Sequence, residues 1–152
     1  ENVIEMNLVK VHIFGNRISS LRIPILPKFI ELFIFIFYNS RVPLSAKIGK
    51  GTVFAYLGIG CVIHKDSIIG ANCTLGQGIT IGGRGKRGGV PTIGSNVFIG
   101  AGARILGPIY IGDNVIVGPN AVIIKDVVSN SIVVGIPGRI VKTNIDNIDT
   151  FL

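Results

Sequence analysis

The chain has 152 residues, with 15 Lys or Arg against 8 Asp or Glu, and so carries a formal net charge of +7. This length supports one domain with its own core, and 21 Gly with no Trp favour a β-rich fold with many turns over a helical one. The positive charge favours anionic partners, but no aromatic residues are interleaved with the basic ones to stack on bases. We therefore expect no nucleic-acid partner.

Residues 1–42 are predicted to form an N-terminal segment that caps or packs against the rest of the chain. His12 lies there between apolar neighbours, and we expect it to be packed rather than functional. Phe29 to Tyr38 is apolar except for Glu31. This run is about half of the roughly 20 residues that cross a membrane, and it starts too far into the chain for a secretory signal.

Two interpretations of the run at 29–38 stay open. In the first, it is a short helix that covers the open end of the domain or packs between subunits. In the second, it makes peripheral contact with a membrane surface. We expect a cytoplasmic protein, which in the second case lies at the inner face of the membrane.

A six-residue repeat runs from Ile93 to Asp126. The second position of a block is mostly Gly, and the fourth is mostly Asn, Gly or Asp, residue types that tolerate a left-handed backbone. A period of six suits neither a helix nor a single strand, but it is typical of a parallel β-helix, in which short strands alternate with tight turns. The first positions are branched apolar residues: Ile93, Ile99, Ile105, Ile111, Val117 and Ile123.

The same frame extends back through Ile81, Leu75, Ile69, Ile63 and Leu57, and a three-residue shift then leads to Ile48. The fifth position is small or β-branched almost throughout, so we expect two inward residues per block to fill a narrow core. Cys61 and Cys73 occupy fifth positions, which predicts buried thiols on different faces of the coil rather than a disulfide. Residues 83–92 contain no inward apolar residue and are predicted to leave the coil as a loop with several cations.

These motifs resemble the hexapeptide-repeat acyltransferases, and the resemblance covers residues 43–142. Within that superfamily, the run ITIGGRGKRGGVPTIGSNVFIGAGARILGPIYIG from Ile79, with VVGIPGRIV from Val133, is similar to the catalytic domain of serine acetyltransferases and related polysaccharide O-acetyltransferases. The resemblance implies an all-β solenoid, a left-handed parallel β-helix with a short N-terminal helical segment. It also implies a homotrimer, acetyl-CoA as co-substrate and no metal.

The resemblance places coenzyme A along the C-terminal coils. We expect its backbone contacts near Gly82, Gly83, Ala101 and Gly102, where small residues let the pantetheine arm approach. Its phosphates are expected near the cations Lys86, Arg139 and Lys142.

His64 is the predicted general base, because it takes a second position that most blocks give to Gly, and an imidazole titrates near neutral pH. Asp66 is the candidate acid that orients its ring. The Asp-His pair of serine acetyltransferases would fall near residues 55–57, and a further His on Val90, and neither site holds His here.

The sequence thus predicts an acetyl-CoA-dependent O-acetyltransferase acting on a hydroxyl, with a sugar of surface polysaccharide biosynthesis as the first acceptor considered. The alternatives are a serine O-acetyltransferase and a non-catalytic trimeric scaffold. A metal-dependent enzyme is disfavoured, because two His in the chain do not supply a three-His site. Residues 143–152 are expected to form a polar tail that frays.

Overall fold

The computed structural model describes residues 8–19, 26–85, 88–146 and 148. Two helices come first, α1 (Leu8–Ser19) and α2 (Leu26–Tyr38). Residues four apart share one face of a helix, and each helix buries such a face: Leu8 and His12 on α1, Ile34 and Tyr38 on α2. Buried apolar residues of both helices join the core cluster of the strands, so both helices pack on the domain. In the described part of the chain, no helix has the length and hydropathy to cross a membrane.

Short strands make up the rest of the chain. They are β1 (Lys47–Ile48), β2 (Val53–Phe54), β3 (Val62–Ile63), β4 (Ile68–Ile69), β5 (Thr74–Leu75), β6 (Thr80–Gly82), β7 (Thr92–Ile93), β8 (Phe98–Ile99), β9 (Arg104–Leu106), β10 (Tyr110–Ile111), β11 (Val115–Val117), β12 (Val122–Ile123), β13 (Ser131–Val134) and β14 (Arg139–Thr143).

The strands stack into three sheets along a parallel β-helix. Sheet A has the order β3-β6-β9-β12, sheet B β1-β4-β7-β10 and sheet C β2-β5-β8-β11-β13-β14. Val62 pairs with Thr80, so a regular coil takes eighteen residues. Thr80 pairs with Arg104, so the coil that carries the loop at 83–92 is six residues longer and returns to the same register. The described residues 83–85 and 88–91 lie outside the strands, whereas Thr92 already belongs to β7, and residues 86 and 87 lie outside the described part.

The predicted inward positions form the core. First positions such as Ile81 and Ile99 and fifth positions such as Val97 and Ala121 are all fully buried. Two inward side chains per block, most of them apolar, therefore fill a narrow interior, as the six-residue period predicts.

Leu57 is a correction, because the frame places it inside and the structure leaves it 48% exposed. Phe54, 2% exposed, takes the inward position instead. The three residues that follow leave the coil in a 3-10 turn, in which Tyr56 and Leu57 adopt left-handed φ of 48° and 59°. The three-residue shift thus lies at this turn, and the periodic frame hides it because Leu57 is itself apolar.

Asp66 is a second correction. Fourth-position residues at the other corners, such as Asn72, Asn96 and Gly102, have φ between 55° and 70°, as predicted. Asp66 is not among the residues with positive φ, and neither are Pro108 and Asp126, which follow the same sheet. The corner between sheets A and B therefore turns with a different backbone conformation.

The C-terminal segment does not fray over its described residues. Ile145 and Ile148 are buried against Ile116 on the outer face of sheet C. The backbone N–H of Ile145 also donates to the carbonyl of Asn130 at 3.1 Å. The expected polar tail is thus partly an apolar cover for that sheet.

Candidate active site

The corner that joins sheet A to sheet B holds His64. Second positions at this corner are His64, Gly82, Leu106 and Ile124, so three of the four carry a side chain. A Cβ placed on Gly82 would meet nothing within 4 Å, whereas one on Gly100, at another corner, would overlap the backbone nitrogen of Pro119. This corner has room for side chains, so a residue other than Gly can occupy position 64 for steric reasons alone. The presence of His64 there is therefore weaker evidence of function than the sequence suggests.

His64 and Asp66 lie side by side on the corner. The backbone N–H of Asp66 donates to His64 Nδ1 at 3.2 Å, and the Asp66 carboxylate lies 3.7 Å from the same nitrogen. A neutral imidazole that accepts at Nδ1 carries its proton on Nε2. To accept a proton at Nε2, the ring must instead carry a hydrogen on Nδ1, and the Asp66 carboxylate is the neighbouring group that could then accept that N–H. The His64 side chain is 41% exposed, which leaves the ring free to turn.

A groove of about 340 Å³ opens beside His64 on the outer face of sheet A. Gly82 and Thr80 form part of its floor, and Arg41 and Lys65 are the charged residues that line it. Arg41 is there because it pairs with Val62 through an isolated bridge that extends sheet A below β3. The groove therefore joins a titratable ring to two cations, which suits an acceptor that carries a negative group.

The structure brings some of the predicted site residues together and separates others. His64, Asp66, Gly82 and Gly83 share the corner between sheets A and B. Ala101 and Gly102 lie at the opposite edge of sheet A, on the turn that leads from β8 to β9.

Two further predicted residues lie on the last strand. Arg139 and Lys142 are exposed on β14 at the C-terminal end, where Arg139 Nη1 donates to the Gly138 carbonyl at 3.1 Å. Lys86 lies outside the described residues.

Two arginines on sheet A were missed by the sequence analysis. Arg104 lies between the two predicted cofactor corners, and its Nη1 donates to the Gly78 carbonyl. The sequence feature that could have identified Arg104 is a charged residue at the sixth position of a block, which lies on the outer side of a strand. Arg41 precedes the repeat, so the period could not place it beside His64.

The remaining titratable candidates are structural. His12 is 2% exposed, and its Nε2 donates to the Pro43 carbonyl at 3.0 Å. Burial lowers the pKa of His12 below its usual 6.5, although the Pro43 contact and Glu31 oppose the shift.

Cys61 and Cys73 are free, and each is buried just before a strand, in different sheets. Burial raises the pKa of both thiols, which disfavours a nucleophilic thiolate. Among the described residues, no three His, Cys, Asp or Glu side chains form a group that could hold a metal ion.

Comparison with known proteins also identifies the six-residue repeat. The family model "Bacterial transferase hexapeptide (six repeats)" matches residues 91–125. A serine acetyltransferase of Synechocystis sp. is 39% identical over 133 residues, which are 86% of this chain and 53% of that protein. A serine acetyltransferase of Staphylococcus epidermidis is 40% identical over 139 residues, 90% of this chain and 65% of that protein.

Solved structures agree with these relatives. A serine acetyltransferase of Neisseria gonorrhoeae superposes with a TM-score of 0.83 at 29% identity and covers 95% of this chain and 56% of its own. The soybean enzyme gives 0.80 at 34% identity, with 88% and 56% covered. The chain is a hexapeptide-repeat β-helix protein similar to serine acetyltransferases. The likeness confirms the left-handed parallel β-helix with short N-terminal helices.

This hexapeptide-repeat chain spans about half the length of the curated relatives it matches, 53% and 50% for the two cyanobacterial ones. It differs from the serine acetyltransferase pattern at the turn of residues 55–57, where the resemblance places an Asp-His pair. Tyr56 is 77% exposed in that turn and has a left-handed backbone. Backbone strain of this kind often marks functional sites, so Tyr56 is the second candidate after His64.

Proposed function

We propose that the chain is an acetyl-CoA-dependent O-acetyltransferase that transfers the acetyl group directly to a hydroxyl. The observation that carries this proposal is the groove at His64, which combines a titratable ring, two cations and the glycine corner of Gly82 in a fold shared with serine acetyltransferases. A serine acetyltransferase of Brucella abortus, similar in fold at a TM-score of 0.82 and 27% identity, was solved in complex with coenzyme A. That relative supports acetyl-CoA as the co-substrate here.

In this proposal, His64 Nε2 takes the hydroxyl proton as the oxygen attacks the thioester carbonyl. The Asp66 carboxylate accepts a hydrogen bond from Nδ1–H and so holds the ring in the tautomer that a base requires. The N–H of Gly82 is part of the ladder between β6 and β9, so the backbone N–H of Gly83 is the donor that would stabilise the oxyanion. The tetrahedral intermediate then collapses with cleavage of the C–S bond, and the protonated His64 returns its proton to the sulfur, so coenzyme A leaves as the thiol.

Coenzyme A would extend from this corner across sheet A towards Ala101 and Gly102. Its phosphates would meet cations of the loop, with Lys86, and of β14, with Arg139 and Lys142. Arg104 lies between the two corners and adds a positive charge on the same face.

Serine is the acceptor that the relatives favour, since the curated matches bear that activity in their names, and the sugar acceptor expected from the sequence has no such support. The groove agrees with serine, because Arg41 and Lys65 could bind its carboxylate while the hydroxyl faces His64. We also propose a homotrimer, which light scattering should report as about three times the 16.1 kDa chain mass.

The test is release of free coenzyme A thiol from acetyl-CoA in the presence of L-serine, with candidate sugars in parallel and mass spectrometry of the products. We expect O-acetylserine. If no acceptor releases thiol and acetyl-CoA does not raise the melting temperature, the chain is a scaffold rather than an enzyme.

A further inference from the structure

The outward side of α2 is apolar and exposed. We call Phe29, Leu32, Phe33, Ile36 and Phe37 the α2 apolar face. Four of the five are between 50% and 71% exposed, and Phe33 stacks on Phe37 with ring centroids 4.4 Å apart. The spacing of three and four residues places them on one side of the helix, away from the buried Ile34 and Tyr38. A contiguous apolar surface of this kind indicates a binding surface.

Cations flank this face on both sides. Lys10 lines a groove of about 510 Å³ between α1 and α2 together with Phe14 and Phe29. On the other side, Lys28 and Arg41 line a pocket of about 270 Å³ together with Glu31 and two exposed apolar residues of α2, Leu32 and Phe35.

The pair of helices α1 and α2, which we call the hairpin, has little negative charge to balance these cations. Glu31 is the acidic residue within α1 and α2, and its Oε1 accepts the backbone N–H of Leu44 at 3.0 Å. Its carboxylate is therefore directed towards the connector after α2. The exposed side of the hairpin combines aromatic rings with positive charge.

We propose that the α2 apolar face docks on the surface of an anionic phospholipid membrane. Phenylalanine rings between flanking lysines suit the boundary between acyl chains and phosphate headgroups. The 13 residues of α2 would lie along the surface rather than span it. A second copy of the chain fits less well, because pairing two such faces would bring their flanking cations together.

Docking has a consequence for the groove at His64. Arg41 lines both that groove and the pocket beside Lys28 and Phe35. The groove would therefore open next to the lipid headgroups. The docking proposal does not depend on which acceptor the enzyme uses.

The experiment is co-sedimentation of the chain with vesicles of phosphatidylcholine, with and without phosphatidylglycerol. We expect binding to the anionic vesicles that weakens at high salt. The pair Phe29→Ser and Phe37→Ser should weaken binding by about tenfold or more, as should Lys10→Glu with Lys28→Glu. Ile136→Ser, at a residue 73% exposed outside the hairpin, is the matched control and should bind as the parent does.

Far-UV circular dichroism would establish that each variant is folded. Absence of binding to anionic vesicles by the folded parent overturns the proposal, and so does binding that neither hairpin pair weakens. If the parent ignores vesicles and Phe29→Ser with Phe37→Ser breaks an oligomer in light scattering, the face is a contact between copies and the proposal is wrong.

Discussion

Asp66 contacts His64 in two ways, through a backbone N–H 3.2 Å from Nδ1 and a carboxylate 3.7 Å from the same nitrogen. The first contact favours a ring with its proton on Nε2, and the second favours a ring with its proton on Nδ1. Only the second tautomer leaves Nε2 able to act as a base. The proposed chemistry therefore requires the exposed ring to turn from the backbone N–H towards the carboxylate and to exchange its proton from Nε2 to Nδ1.

Replacing His64 with Ala should lower turnover by about a hundredfold or more, the loss expected when a positioned base is removed. Steady-state assays with acetyl-CoA and serine would measure it, and the oligomer and acetyl-CoA binding should be unchanged. Lys125→Ala, at an exposed residue of the same corner three coils further on, is the matched control. A loss of less than about fivefold would assign the base to another group, with Tyr56 the next to replace.

Two glycine substitutions should differ in their effect on stability. Gly100→Ala should lower the free energy of unfolding by about 1–3 kcal/mol, because its Cβ would overlap the backbone of the next coil. Gly82→Ala should change it by less than about 0.5 kcal/mol, since the space there is open. Urea unfolding of both variants measures the difference, and equal losses would contradict the description of the corner.

Because of His12, the free energy of unfolding should be lower in mild acid than at neutral pH. Burial lowers its pKa below 6.5, so the folded state binds fewer protons than the unfolded state. The His12 contribution is complete above about pH 7.5 and is lost as the pH falls through 6.5, with a slope of at most about 1.4 kcal/mol per pH unit.

Urea unfolding at neutral and mildly acidic pH would measure this slope. His12→Gln keeps a side-chain donor for the Pro43 carbonyl but does not titrate, so it should reduce the pH dependence. Val9→Ala should lower stability at both pH values and keep the parental slope. A parental slope in His12→Gln would show that other groups cause it.

Changing Lys86 and Lys142 together to Ala should raise the KM for acetyl-CoA several-fold, with a smaller effect on kcat, because phosphate contacts contribute mainly to ground-state binding. Initial rates at varied acetyl-CoA would separate the two constants. Lys50→Ala is a control for a general loss of positive charge. An unchanged KM would place the nucleotide elsewhere on the chain.

The six-residue period predicts the core well, because every block must send the same positions inside whatever its neighbours are. It fails at Leu57, where three inserted residues restore an apolar residue to the expected position by coincidence. It also treats all corners alike, although the corner of His64 and Asp66 has its own backbone conformation and more space.

The groove was less predictable than the core. His64 and Gly82 are found from the repeat, because both occupy second positions one coil apart. Arg41 is brought beside them by a bridge to Val62, a pairing between a non-repetitive connector and the first strand of sheet A. Such a contact leaves no periodic trace, and only the three-dimensional structure reveals the charge that it adds.

The strands on either side of the loop between β6 and β7 stay in register. The coil that carries this loop is six residues longer than a regular coil of the β-helix. Joining Gly83 directly to Val90 would remove those six residues and keep Ile81 and Ile93 at inward positions with the usual spacing. The loop can therefore lengthen, shorten or change its sequence while the strands on either side stay paired. Changes in the length and sequence of the loop are, in that sense, separable from changes in the scaffold that carries it.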